Sequence, residues 1–242
     1  MALTLILVEA ALQLVPEQIQ SHPQIKEYAK RRQKRTGEVL LDRAFHHRAM
    51  QRLSRMGSQL RPEKMGRPDI VHNALLQVLE TPLNWEGHLH VFVHTQDDNV
   101  ISINPAVRLP KNYVRFVGLI EQLFAEKRVP RTGQTLLRME KMGLPQLIEK
   151  CKPTKVLGFT RQGKPYLMRR LAEDARRLDT PLVFIGGFPR GQFSVETKQL
   201  ADELISVDKE SLDAWVVAGR FVYDYESAIG LPEARLKSMK AT

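Results

Sequence analysis

A length of 242 residues, with 43% apolar and 26% charged residues, suits one large globular domain or one domain carrying a sizeable insertion. Gly and Pro, 14 each, are close to average and exclude collagenous, low-complexity and largely disordered classes. The charge is +10, from 37 Lys/Arg against 27 Asp/Glu, and such a field favours phosphate-rich partners while saying nothing about fold.

Residues 3–8 form an apolar run too short to span a membrane, closed by Glu9 and without a basic leader. They read as a first, buried strand. A loop with Pro16 and Pro23 follows, then a basic helix over 25–35. The segment 37–42 leads into a helix through His46, His47 and Met50, with Ala49 and Leu53 at helical spacing. Residues 57–66 read as a polar, proline-containing loop. Arg67-Pro68-Asp69 opens the next helix, because Pro suits the first helical position and an acid the first turn. Ile70, Ala74, Leu75, Val78 and Leu79 supply its apolar stripe. Residues 89–93 and 100–103 are strands flanking an Asp97-Asp98-Asn99 turn. Beyond Pro110 a helix lines up Tyr113, Phe116, Val117, Ile120, Leu123 and Phe124. From Lys155, strands at 156–159, 182–185 and 203–207 alternate with helices at 165–178 and 212–227. Apolar strands alternating with helices predict a parallel α/β sheet covered on both faces.

The positive charge is concentrated. Residues 26–67 carry thirteen Lys/Arg against four Asp/Glu, a net +9, and residues 104–141 carry eight against three, a net +5. A solvated cationic surface is the lesser alternative to a phosphate-facing one. A membrane surface suits it less, because no basic segment has an aromatic opposite face. Lys111 and Arg115 are four apart on the helix expected from Pro110, with Arg108 just before it, so three cations can grip successive phosphates or form a plain charged face. Asp69 either fixes the Arg67 guanidinium for forked recognition or simply favours a helix N-terminus. Gly186-Gly187-Phe188-Pro189-Arg190-Gly191 follows an apolar strand, where backbone amides can approach a nucleotide-type ligand, or where the chain merely turns. The single cysteine, Cys151, excludes an internal disulfide and a Cys-based zinc site and fits a reducing compartment. The seven histidines lack metal-site spacing, so no metal is expected.

The strings LLDRAFHHRAM (40–50), GRPDIVH (66–72), VHTQDDNVISINPAVRLPKNYVRFVGLIEQLF (93–124) and FIGGFPRGQF (184–193) together resemble the ribosome-biogenesis pseudouridine N1-methyltransferases of the SPOUT class, in their archaeal form. The likeness runs from about residue 3 to residue 227. It implies a single methyltransferase domain over 1–242: a parallel α/β sheet with a C-terminal trefoil knot, plus a family-specific insertion. Basic, RNA-facing regions would lie at about 26–67 and 89–115. It implies a homodimer that methylates N1 of a pseudouridine in a small-subunit rRNA hairpin loop, using S-adenosylmethionine, in small-subunit biogenesis. By the same likeness Arg67 contacts rRNA at the catalytic centre, Asp69 holds Arg67, and Arg108, Lys111 and Arg115 grip the RNA. The cofactor loops would be 158–160, 186–191 and 205–214, with Thr160, Gly186, Gly191, Ile205, Val207, Asp208, Leu212, Asp213 and Ala214 as candidate contacts. Lys111 stands where many relatives have Arg, which keeps the charge and gives up the fork. Ser206-Val207-Asp208 stands where many read Ser-hydrophobic-Ser. The resemblance places the protein in the cytoplasm (the nucleolus in a eukaryote), with ribosomal proteins or assembly factors as further partners and no membrane. An rRNA-binding assembly factor without catalysis is the alternative, and a related enzyme acting on tRNA a third.

Overall fold

The computed structural model describes residues 2–56 and 60–239. Strand β1 (Leu3–Ala10) is buried at every position, which explains its unbroken apolar sequence: both faces are covered. It lies in the middle of the sheet, parallel to β2 (Leu89–Thr95) on one side and β7 (Pro181–Gly186) on the other, with Ile6 opposite Phe92 and Phe184. Beyond β7 the parallel half continues through β6 (Lys155–Pro165) to β8 (Glu203–Ser206). Beyond β2 the sheet turns antiparallel through β3 (Asn99–Ile103), β5 (Leu137–Lys141) and β4 (Arg128–Val129). The expected parallel sheet is therefore one half of a mixed, eight-stranded sheet of order β4-β5-β3-β2-β1-β7-β6-β8. The antiparallel half is the correction. The hairpin at 97–99 belongs to it, and β5 alternates buried Leu137 and Met139 with exposed Arg138, as a half-solvated strand does.

Leu3, Leu5 and Leu7 of β1 face one layer, built from α4 (Pro68–Leu79), α6 (Tyr113–Glu126), α8 (Met168–Ala175) and α10 (Ala214–Ala228). Ile6 and Val8 face the other, where α7 (Leu144–Cys151) and the segment around Phe193 pack. Between β1 and α4 the chain makes an insertion with its own small core. Here α1 (Glu17–Gln20), α2 (Pro23–Arg31) and α3 (Arg43–Arg55) enclose Ile19, Ile25, Ala29, Ala49, Met50 and Leu53. The remaining helices are α5 (Pro82–Trp85), α9 (Val195–Gln199) and α11 (Leu231–Met239).

Three boundaries differ from expectation for identifiable reasons. The basic helix stops at Arg31, because Gln33 adopts a left-handed conformation (φ 54°) and the Lys34 amide bonds back to Ala29. The helix expected from Pro110 starts at Tyr113, because the Asn112 side chain caps it by accepting from the Arg115 amide at 3.1 Å. The helix expected over 165–178 begins at Met168, because β6 runs on to Pro165. Of the loop expected at 57–66, residues 57–59 lie outside the described residues, and Pro62–Lys64 is a short 3-10 turn.

One crossing governs the C-terminal half. Ile205 of β8 is paired both with Phe159 and with Lys164 of β6, and the Tyr166 amide donates to the Ser206 carbonyl at 2.8 Å. Residues 160–163 therefore loop across β8. Gly163 lies so close that a Cβ there would stand 2.4 Å from the Ile205 nitrogen. Backbone against backbone leaves no room for a side chain.

Candidate cofactor cleft and RNA face

The 160–163 loop within β6 and the loops that leave the carboxyl ends of β7 and β8 meet at the sheet edge where ligands of parallel α/β sheets bind. They enclose a cleft of about 310 Å³ lined by Phe159, Thr160 and Arg161, by residues of the 185–193 loop, and by residues 205–208 and 210–214. Arg67 and Ile70 of the α4 start and Trp215 and Val217 of α10 complete it. Thr160, Gly186, Gly191, Ile205, Val207, Asp208, Leu212, Asp213 and Ala214, drawn from three distant segments, thus border one cavity, and Arg67 borders it too. The glycines serve the turn. Gly187 packs on Ala10, where a Cβ would come within 2.9 Å of its Cα, and Gly191 takes φ 96°. Thr160 Oγ1 donates to Gln192 Oε1 at 2.8 Å and joins the first loop to the second.

The second loop is also held from beneath by a pair that sequence reading missed. Lys64 is buried, ion-pairs with Glu9, donates to the Gln192 carbonyl, and lies 4.0 Å from the centroid of the Phe188 ring. Glu9, in a left-handed conformation (φ 51°), accepts from the Ser194 amide at 2.6 Å. Burial pushes the Glu9 carboxyl up, but the hydrogen bonds from Lys64 and Ser194 more than offset it, so it stays below its ordinary value. A cation in the insertion thereby fixes the middle loop of the cleft.

At the edge of the cleft, Arg67 Nε and Nη2 fork onto Asp69 at 2.8 and 2.7 Å. Of the two readings of Asp69, guanidinium fixing is thus realised within the first turn of α4. That bond, foremost, raises the Arg67 pKa and keeps it cationic. Arg43 and Arg190 stand close by. Burial first, and then the nearby charges of Arg190 and Arg67, lower the Arg43 pKa. This cationic cluster has no local signature, since its members are over a hundred residues apart in part and meet only in the fold. Asp42 lies next to it, accepting from Tyr113 Oη at 2.5 Å and from the Ala44 amide at 2.8 Å. Burial nonetheless pushes its carboxyl up.

The other three cations are placed differently. Arg108, Lys111 and Arg115 are all exposed. Lys111 precedes α6 rather than lying on it, and its ammonium pairs with Glu80 at 3.3 Å. The shared helical face expected for Lys111 and Arg115 is therefore absent: Arg115 is on α6, while Arg108 and Lys111 rim a separate cavity behind the 104–109 loop. His72 positions this segment, its Nε2 bonded to the Pro110 carbonyl at 2.7 Å and its ring stacked on Phe116 at 4.3 Å. In the insertion, Arg32 and Lys34 converge on buried Glu121 at 2.9 and 2.6 Å, so part of the basic run is structural. Lys26, Lys30, Arg48, Arg52, Arg55 and Arg61 remain exposed. Of the adjacent histidines, His46 is buried and His47 exposed. Among the described residues no group of three His, Cys, Asp or Glu could hold a metal, and no helix is long and apolar enough to cross a membrane.

A glycine-bearing cleft at the carboxyl ends of parallel strands, closed by a loop that crosses the last strand, defines a cofactor-binding α/β protein of the SPOUT class. The model of the EMG1/NEP1 methyltransferase family matches residues 5–226, and the chain belongs to that family. It is 42% identical over 229 residues to the ribosomal RNA small subunit methyltransferase Nep1 of Thermococcus kodakarensis, covering 95% of this chain and all of the relative. Over 230 residues it is 42% identical to the Nep1 of Pyrobaculum calidifontis, covering 94% and 99%. The crystal structure of Archaeoglobus fulgidus Nep1 bound to S-adenosylhomocysteine superposes with a TM-score of 0.81 at 35% identity, over 95% of this chain and all of that one.

Proposed function

We propose that this protein transfers the methyl group of S-adenosylmethionine to N1 of a pseudouridine in a small-subunit rRNA loop, as a homodimer, during small-subunit assembly in the cytoplasm. The observation that carries the reading is the convergence of nine cofactor candidates from three loops, with Arg67, on one cleft. The cleft fits such a cofactor: its volume is that of a small-molecule site, Phe159, Ile185, Ile205 and Val217 offer apolar walls for a base, and Asp208 and Asp213 offer carboxylates for hydroxyls or a sulfonium charge. When bound, the cofactor supplies an electrophilic methyl group.

The protein's share is placement. In-line approach of a nucleophile and a methyl group gains on the order of 7–11 kcal/mol from orientation in favourable cases. Pseudouridine has a free N1–H, the nitrogen that carries the ribose in uridine. Arg67, locked by Asp69 at the cleft edge, is set to stabilise negative charge on the base as that proton passes to solvent water. Arg43 and Arg190 add positive potential there, and Arg108, Lys111 and Arg115 extend it along the face that would hold the strand. The double pairing of Ile205 supports a trefoil knot, and exposed Leu167 and Tyr223, near α8 and on α10, offer an apolar surface for a second copy. The test is mass spectrometry of hairpin RNA incubated with protein and labelled cofactor. A label on N1 of pseudouridine is expected, with none when uridine replaces it. Equal labelling of both RNAs refutes the substrate, and calorimetry without S-adenosylmethionine binding favours a non-catalytic assembly factor.

A further inference from the structure

The cavity behind the 104–109 loop holds about 820 Å³ and is separate from the cofactor cleft. Its walls are Leu75, Leu76 and Leu79 at the end of α4, helix α5, and Val107 and Leu109. Three features give it a chemistry. Trp85 of α5 lines it with 61% of its surface exposed, a flat apolar face held in place by Arg235, whose guanidinium lies 5.7 Å from the ring centroid. Asn84, also in the lining, is only 1% exposed. Its Nδ2 donates to the Leu79 carbonyl at 2.8 Å and the Pro105 carbonyl at 3.0 Å. Those two bonds fix the amide, since the flipped form would set oxygen against two carbonyls. Oδ1 is then left as an acceptor without a partner among the described residues. A buried acceptor in that condition is uncommon and is open to a donor, from water or from a ligand. The third feature is the rim, where Arg108 is exposed and Lys111 pairs with Glu80 at 3.3 Å, two cations against one carboxylate.

We propose that this cavity is a docking site for one unpaired nucleobase of the bound RNA, stacked on Trp85 and donating an amino hydrogen to Asn84 Oδ1, with its flanking phosphates on Arg108 and Lys111. The proposal rests on the rRNA reading and deepens it: a base seated here sets the register of the strand while another is presented at the cofactor cleft. Because the Asn84 amide hydrogens are already committed, Asn84 offers an acceptor only. Adenine, cytosine and guanine present an exocyclic amine to it. Uracil presents a lone imide N–H between two carbonyls, which the acceptor repels. The cationic rim selects a polyanion over an apolar segment of another protein.

The test uses the full chain with the hexaribonucleotides A6, C6 and U6 and an abasic hexamer of the same phosphate count. Trp215→Phe leaves Trp85 as the remaining tryptophan, so base stacking reads out as quenching of its fluorescence. A6 and C6 should quench and bind more tightly than U6, and the abasic hexamer should do neither. Stacking of one base corresponds to roughly a 5- to 100-fold change in affinity, so Trp85→Ala should weaken A6 by that factor and leave the abasic hexamer unchanged. Arg108→Ala should weaken all four alike. Equal affinity for A6 and the abasic hexamer, or an unchanged A6 affinity in Trp85→Ala, overturns the proposal. Conversion of a dimer to a monomer by Trp85→Ala, without base-dependent loss, also overturns it and assigns the cavity to a second copy. Methyl transfer to the protein's own small-subunit rRNA is measured in parallel. Its absence in the unsubstituted protein refutes the proposed function, whereas normal transfer with base-blind hexamer binding refutes the docking site alone.

Discussion

Around the proposed cofactor cleft, charged groups are spent inside the protein; along the proposed RNA face they are left to water. Lys64 and Glu9 are buried together beneath the 185–193 loop, and Thr160 is bonded across to Gln192. Arg108 and Arg115 stand exposed, and Lys111 has only a solvent-facing partner in Glu80. The contrast separates two ways a binding surface is made. A cleft for a small ligand needs loops in fixed positions and accepts the desolvation cost of an internal pair to hold them. A face for a flexible polyanion needs reach and charge, which long, mobile side chains already supply. Loss of a residue in the first region should therefore be felt as stability and cofactor affinity, and in the second as RNA affinity alone.

The largest departure is expected at Lys64. Lys64→Met strands Glu9 in a buried position and should cost about 3–5 kcal/mol in urea unfolding, with weaker cofactor binding by calorimetry. Adding Glu9→Gln should recover much of the stability. A single variant as stable as the parent would show that the pair is not a clamp. Next comes pH. Burial pushes His46 down to about 4 from 6.5. Above about pH 6.5 its ring is neutral whether the chain is folded or not. Below that, the unfolded chain takes up a proton that the folded one refuses, so stability should fall by about 3 kcal/mol between pH 6.5 and 4. His46→Gln should flatten that stretch of the curve, and because His46 packs edge-on against Tyr28 at 4.6 Å, the loss tests whether the insertion's interior unfolds with the sheet.

Asp69 tests the border between the regions. It is about one-third exposed, so Asp69→Ala should cost less than about 1 kcal/mol of stability. Freeing Arg67 should nonetheless slow methyl transfer by about ten- to a hundredfold, an effect on the order of 1–3 kcal/mol at the transition state. The smallest structural effect belongs to Arg108→Ala and Arg115→Ala, within about 0.5 kcal/mol in unfolding. Each should reduce the slope of log affinity against log salt by about 0.7 for a single-stranded loop, leaving S-adenosylhomocysteine affinity as it was. A drop in cofactor affinity would merge the two regions.

What could be read from sequence follows the same division. The strand 182–185, the glycines behind it and the alternation after Lys155 are local patterns, and they located the loops that border the cleft. Arg67 and Asp69 were legible because two residues of spacing suffice for their fork. Lys64 was not. In a basic segment it looks like any surface lysine, and what buries it is Glu9 near the start of the chain and a carbonyl 128 residues further on. Arg43 and Arg190 were missed for the same reason. Of the antiparallel half, β3 was read but β4 and β5 escaped, because β4 is two residues long and β5 carries three charges in five positions, too little apolar signal to mark a strand. Lys111 was set on a helix because Pro110 is a good first residue; the competing signal was Asn112, a better cap.

The crossing at Ile205 bears on when the protein becomes competent. Residues 160–163 acquire their shape only once 203–206 lie beneath them, so the first loop of the proposed cofactor cleft depends on chain made some forty residues later. During synthesis, β1, the insertion and the antiparallel strands can assemble while nothing yet grasps the cofactor. Activity should switch on in one step as α10, which follows the final strand and completes the cleft, leaves the ribosome, not grow with length.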